Sequence, residues 1–283
     1  MAQPRSRTET FQGSEGGVSL RLWENPDARH LVVISHGYGE HIGRYEHVAG
    51  ALVSRGAAVW GPDHLGHGKS DGERVLVCDF EHIVDDLHHV VSSGGRAHAG
   101  LPVVLIGHSM GGMIAARYAQ RHGRGLAGLV LSGPSIGCPE VVEPLLALPE
   151  IPDIPIDPAV LSRDPAVGEA YANDPLVHHG PFKRPTLEAI RAILAAIDAG
   201  PGFGALPTLW LHGGDDRLVP IDTTRVAIAK LQGRDLTERV YEGAQHEVFN
   251  ETNKDQVLDE VCTFIDRVTG ARLRTPREPA RGH

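Results

Sequence analysis

The chain has 283 residues, 41% of them hydrophobic and 22% charged, with a formal net charge of −9. That is the composition of a globular protein long enough for one large domain with an insertion, and its acidic balance speaks against a general nucleic-acid surface. Three widely spaced cysteines, Cys78, Cys138 and Cys262, form no C-x-x-C pair and read as reduced thiols of a cytosol-like compartment, and no apolar run has the make-up of a secretory leader or the length of a membrane span.

In chain order, residues 1–13 are polar and, like the basic tail 270–283, read as disordered ends. Residues 17–23 alternate apolar and polar side chains, the pattern of a half-buried edge strand. The run 31–35 (LVVIS) is continuously apolar, the habit of a strand buried on both faces of a parallel sheet. The glycine-rich loop 36–41 (HGYGEH) follows at once. It reads either as a plain strand-to-helix turn or as half of an oxyanion hole, with the Tyr38 N–H as a donor and His36 shaping the loop by hydrogen bonding.

Residues 44–55 have helical amphipathic spacing and Gly56 stops them; 57–60 is a short strand. In the loop 61–72 the glycines and Asp63 hold a tight turn, and their spacing does not fit a phosphate-binding loop. Residues 80–91 form a helix with Ile83, Leu87, Val90 and Val91 on its apolar side. Its His82, Asp85, Asp86, His88 and His89 read as a solvated face, since no H-E-x-x-H pattern is present. A strand at 101–106, the sequence Gly107-His108-Ser109-Met110-Gly111, a helix to about His122 and a strand at 126–132 continue the rhythm. Alternating strands and helices predict an α/β fold, a mostly parallel sheet with helices on both faces.

From 133 to 206 the rhythm breaks into prolines, short helices and loops, read as an inserted cap. Its apolar density at 141–156 either packs on the sheet domain or offers a surface to lipid or an acyl chain. The core resumes with a strand at 207–212, a helix at 221–231, a strand at 237–241 and a final helix at 254–268. The organisation expected is therefore a core of 1–132 and 207–283 with a cap of 133–206.

G-x-S-x-G between a strand and a helix is the context of a nucleophile elbow, which presents a serine hydroxyl at the top of a sheet. A serine hydroxyl needs a base within hydrogen-bond reach, and the base needs an orienting acid. Ser109, then the acid pair Asp215/Asp216 after a late strand, then His246 after the next strand is the chain order of an α/β-hydrolase triad. His246 would take the Ser109 proton and return it to the leaving alcohol, an aspartate would hold its tautomer, and the Tyr38 and Met110 N–H groups would meet the oxyanion. This chemistry calls for no metal and no cofactor.

The segments HGYGEHIGRY at 36–45, PDHLGHGKSDG at 62–72, GHSMGG at 107–112, LSRDPAVGEAYANDPL at 161–176, GGDDRLV at 213–219 and YEGAQHEVFNE at 241–251 resemble the monoacylglycerol lipase family of α/β-hydrolases, in its bacterial form. The resemblance spans about 13–268. In that family the acid directly precedes Arg-Leu, which selects Asp216 over Asp215. The resemblance implies hydrolysis of monoacylglycerols to glycerol and fatty acid through an acyl-enzyme, a cap over an apolar acyl tunnel, and contact with a membrane or lipid droplet. The alternatives are a broader carboxylesterase or lysophospholipase with the same triad, and a non-catalytic lipid-binding protein on the same scaffold, which the intact Ser109, Asp216 and His246 oppose.

Overall fold

A computed structural model describes residues 6–137 and 139–270. Residues 1–5, Cys138 with its expected free thiol, and the tail 271–283 expected to be disordered lie outside the described residues.

Eight strands form one sheet: β1 (Ser6–Gln12), β2 (Gly17–Trp23), β3 (His30–Ser35), β4 (Ala57–Pro62), β5 (Val103–His108), β6 (Gly128–Ser132), β7 (Thr208–Gly213) and β8 (Leu236–Tyr241). Their spatial order is β1-β2-β4-β3-β5-β6-β7-β8. β1–β2 and β2–β4 pair antiparallel, and the other neighbours pair parallel. Every residue of β3 to β7 is buried, which is why these segments are near-continuous apolar runs. The pleat sends Leu31 and Val33 to one core and Val32 and Ile34 to the other. α2 (Phe80–Ala97) and α3 (Met110–His122) cover the first face, and α1 (Glu46–Ser54) and α8 (Lys254–Thr269) cover the second. Both faces are therefore sealed by helices, the arrangement the alternating pattern predicts.

The expectation of a disordered N-terminus is corrected over its described part. Residues 6–12 form β1, paired along seven residues with β2, and the turn is closed by the Gly13 N–H donating to the Gly16 carbonyl at 2.8 Å. The stretch reads as polar because an edge strand exposes most of its side chains; Phe11 reaches inward and stacks on His89 at 4.5 Å. β2 is accordingly not an edge strand but lies between β1 and β4.

Asp63 holds its turn as the sequence suggests, accepting from Ile42 N–H at 2.8 Å and Lys69 N–H at 2.9 Å. The polar face of α2 is used for ties rather than left to solvent alone: Asp85 pairs with Arg121, Asp86 accepts from Ser14, and His82 meets Glu15. Between β6 and β7 run α4 (Pro139–Leu146), α5 (Pro165–Asn173) and α6 (Arg184–Ala199), and α7 (Ile221–Leu231) follows β7. Of α6, Ala189, Ile193 and Ile197 join the core under the sheet, whereas Leu148 and Ile154 in the proline-rich loop are 42% and 69% exposed. Among the described residues no helix is long and apolar enough to cross a membrane.

Candidate active site

The strand order reverses between β3 and β5, and the loops leaving their C-terminal ends meet there, the usual crevice of an open parallel sheet. Ser109 sits between β5 and α3 with φ 54° and ψ −120°, a left-handed conformation that costs a non-glycine residue about 1–3 kcal/mol. The close approach explains the flanking glycines. A Cβ at Gly107 would overlap the Gly111 carbonyl, and one at Gly111 would overlap the Ser35 carbonyl. The loop after β3 runs against the serine, so that a Cβ on Gly37 would lie 3.3 Å from Ser109 Cβ.

That loop is shaped from within. His36 Nδ1 lies 2.8 Å from the Gly37 carbonyl and its Nε2 accepts from the His64 N–H at 2.9 Å, the structural part expected of it. Gly37 N–H is taken by Glu40 Oε1 at 2.6 Å, so the next amide in the turn is that of Tyr38. Met110 opens α3, where the first N–H groups have no intrahelical acceptor.

The two neighbouring aspartates have opposite environments. Asp215 is exposed, while Asp216 is buried and its Oδ2 lies 2.7 Å from His246 Nδ1. Asp216 Oδ1 accepts from the N–H groups of Leu218 and Val219, both at 2.9 Å. His212 Nδ1 accepts from Trp210 Nε1 at 3.2 Å, which leaves the proton on Nε2, 2.8 Å from the Val219 carbonyl and 3.4 Å from Asp216 Oδ2. Burial pushes the Asp216 carboxyl up, but the charge of His246 and these donors outweigh it and hold the group well below the usual carboxylate range. Burial likewise pushes His246 down, and the Asp216 charge and hydrogen bond outweigh it, leaving the imidazole above its ordinary 6.5. Beside it, burial and the neighbouring His246 hold His108 down at about 4, so its ring stays neutral 4.8 Å away.

Ser109, His246, Tyr38 and Met110 border one cavity of about 200 Å³. Most of its wall is apolar, including Met113, Leu145, Ile156, Leu187, Ile190 and Leu194, and much of that wall comes from the segment between β6 and β7. The Ser109 hydroxyl shares a hydrogen bond with Ser135 Oγ at 3.3 Å.

Sequence reasoning missed Ser135, His212 and two buried ion networks. Arg44 lies 2.6 Å from Glu40 and grips Glu247 through two contacts of 2.7 and 2.8 Å, which ties the loop after β3 to the residue beside His246. Glu251, with its side chain fully buried, accepts from the N–H groups of Gln245 at 2.7 Å and Thr252 at 2.9 Å and from Arg163 Nε at 2.9 Å. The charges stand in the stretches GEHIGRY and QHEVFNE, but Arg44 and Glu247 are 203 residues apart, so no local signal marks their pairing.

The family model described as "Serine aminopeptidase, S33" matches residues 26–253. The monoacylglycerol lipase of Mycolicibacterium smegmatis is 36% identical over 272 residues, covering 92% of this chain and 97% of the relative. The monoglyceride lipase of Homo sapiens is 36% identical over 252 residues, covering 84% of this chain and 83% of the relative. Among solved structures, the Paleococcus ferrophilus monoacylglycerol lipase superposes with a TM-score of 0.76 at 25% identity, covering 92% of this chain and 99% of that one.

Proposed function

The chain belongs to the monoacylglycerol lipase family of α/β-hydrolases, and on that premise we propose that it cleaves the ester of a monoacylglycerol to glycerol and a fatty acid, with Ser109, His246 and Asp216 as its triad. The observation that carries this reading is the strained Ser109 at the mouth of an apolar pocket that His246 also borders, with His246 Nδ1 2.7 Å from a buried carboxylate. The Ser109 side chain turns from Ser135 toward His246 Nε2, loses its proton to that nitrogen and attacks the ester carbonyl. The oxyanion is met by the N–H groups of Tyr38 and Met110. Protonated His246 then gives its proton to the departing glycerol oxygen, and a water activated by the same imidazole releases the fatty acid from Ser109.

An ester of an apolar chain suits this pocket better than a peptide with a free amino terminus. Glu40 and Glu247, the carboxylates on its wall, are both paired with Arg44, so neither is left to hold a substrate ammonium. The segment 133–206 acts as the cap that supplies the acyl wall. Leu148 and Ile154 project from it near the pocket residue Ile156, and the exposed Glu150, Asp153 and Asp157 beside them favour an uncharged lipid surface over an anionic one.

The test is a panel of mono-, di- and triacylglycerols with glycerol and fatty acid release as readouts, beside labelling by a fluorophosphonate. Turnover well above that of the bulkier esters, and labelling lost in Ser109→Ala, are expected. Comparable triacylglycerol turnover would refute the narrow specificity, and unlabelled folded protein would refute the hydrolase.

A further inference from the structure

A second cavity, of about 460 Å³, lies between α4, α6 and α7. It shares two lining residues with the apolar pocket, Val142 and Leu194. The phase of α6 shows how the two spaces are related. Leu187, Ile190 and Leu194, at helical spacings of three and four, line the pocket; Arg191, Leu194, Ala195 and Asp198, at the same spacings, line the second cavity. The two stripes meet only at Leu194, about 10 Å along the helix from Leu187. Leu194 and Val142 are therefore the partition between the spaces.

The second cavity is apolar within and charge-neutral at its rim. Its wall includes Leu194, Ile197, Ala227 and Leu231, with Ala195 and Val226 at its solvent-facing edge. The two cations at its edge are already matched: Arg191 stands 3.8 Å from Glu143, and Lys230 lies 2.5 Å from Asp198. No free charge is offered to a carboxylate or a phosphate, so the occupant that fits is a hydrocarbon chain. The partition also has one movable side. Val142 is buried and β-branched, hence stiff, whereas Leu194 is half-buried and lacks the β-branch, so more χ1 rotamers are open to it.

We infer that the cavity between α4, α6 and α7 is a distal acyl subsite, which receives the methyl end of a long chain once the Leu194 side chain swings aside. Leu194 is then the residue that sets how strongly chain length is penalised. The inference rests on the ester-hydrolase reading above.

The experiment measures kcat/KM for monoacylglycerols of caprylate, laurate, palmitate and oleate, and reads the palmitate-to-caprylate ratio within each variant. Leu194→Ala removes the partition and raises that ratio about tenfold, the scale on which one methylene in an apolar site discriminates. Ala195→Phe, at an exposed position on the cavity wall, fills the subsite from outside and lowers the ratio in the otherwise unaltered chain and in the Leu194→Ala background. A ratio unchanged by Leu194→Ala, or one that Ala195→Phe leaves where it was, overturns the subsite. Failure of the unaltered enzyme to release fatty acid from any of the four esters would instead overturn the hydrolase reading, so the two failures are distinct.

Discussion

Adjacent aspartates make the sharpest comparison available at the level of single residues. Asp216 loses solvent but gains two backbone donors, His212 and His246, while the side chain of Asp215 stays in water. Asp216→Asn keeps the shape and removes the charge that stabilises the imidazolium, so kcat is expected to fall about 10⁴-fold, as when the acid of such a triad is made an amide. Asp215→Asn is expected to leave kcat nearly unchanged, and the reverse result would reassign the acid. The same pairing fixes a sign for pH. Asp216 holds His246 above 6.5, and only the neutral imidazole accepts the Ser109 proton. kcat/KM on a small soluble ester is therefore expected to rise with pH through an apparent pKa above 6.5, and in Asp216→Asn that inflection should move down because burial then acts without the opposing charge. An inflection below 6.5 in the unaltered enzyme would contradict the assignment.

Among elements, the loop carrying His246 is held from two sides. Arg44 draws its Glu247 toward the turn after β3. Glu251 fastens its Gln245 amide to Arg163, and the Glu247 N–H donates to the Leu161 carbonyl at 2.8 Å. The histidine loop is thus clamped to Leu161 and Arg163 in the segment between β6 and β7. Glu251→Gln keeps the volume but trades a buried acceptor for an amide, leaving N–H donors imperfectly met. A stability loss of about 2 kcal/mol is expected by denaturant titration, together with a lower kcat as His246 loosens. Unchanged stability would show the cluster to be idle. None of this was legible in the sequence, because Arg163 and Glu251 are 88 residues apart and only the folded chain brings them together. The strands were legible for the opposite reason: full burial on two faces imposes a local apolar run, as in 31–35. β1 lacked that imprint because an edge strand is specified by its partner more than by its own side chains. Ser109, the pair Asp215/Asp216 and His246 were legible as an order of residue types in the loops after β5, β7 and β8, whereas the choice of Asp216 within the pair rests on the family resemblance, and its burial beside the exposed Asp215 favours the same choice.

Taken as a whole, the molecule keeps an unusual share of its histidines out of water, and that sets its response to acid. Burial holds His67 at about 3 and His108 at about 4, and it also lowers His36 and His64, which pack with His67 behind the turn after β3. These rings are neutral in the folded protein and would protonate near 6.5 if the chain opened. As pH falls below 6.5, the unfolded state binds protons that the folded state does not, so stability is lost progressively until the folded pKa is reached. His246 runs the other way: its raised pKa adds stability on the acid side that disappears as pH climbs through it. Among the described residues two raised groups, His246 and His82, against seven lowered ones leave the buried rings in control. One pKa unit is worth about 1.4 kcal/mol, so at pH 5 the two rings held at about 3 and about 4, His67 and His108, each remove about 2 kcal/mol, a large share of the stability of an ordinary domain. Tm measured by calorimetry is therefore expected to fall steeply between pH 6.5 and 5. The carboxylates held low, Asp216 and Glu40, add little to that fall, because the stability they contribute is lost only once the carboxyls of the unfolded chain, which titrate at about 4, begin to bind protons. His67→Gln should flatten the slope between pH 6.5 and 5 by the share of one ring. A Tm that stays level across that interval would mean that these histidines protonate without unfolding, and that water reaches the space behind the turn after β3.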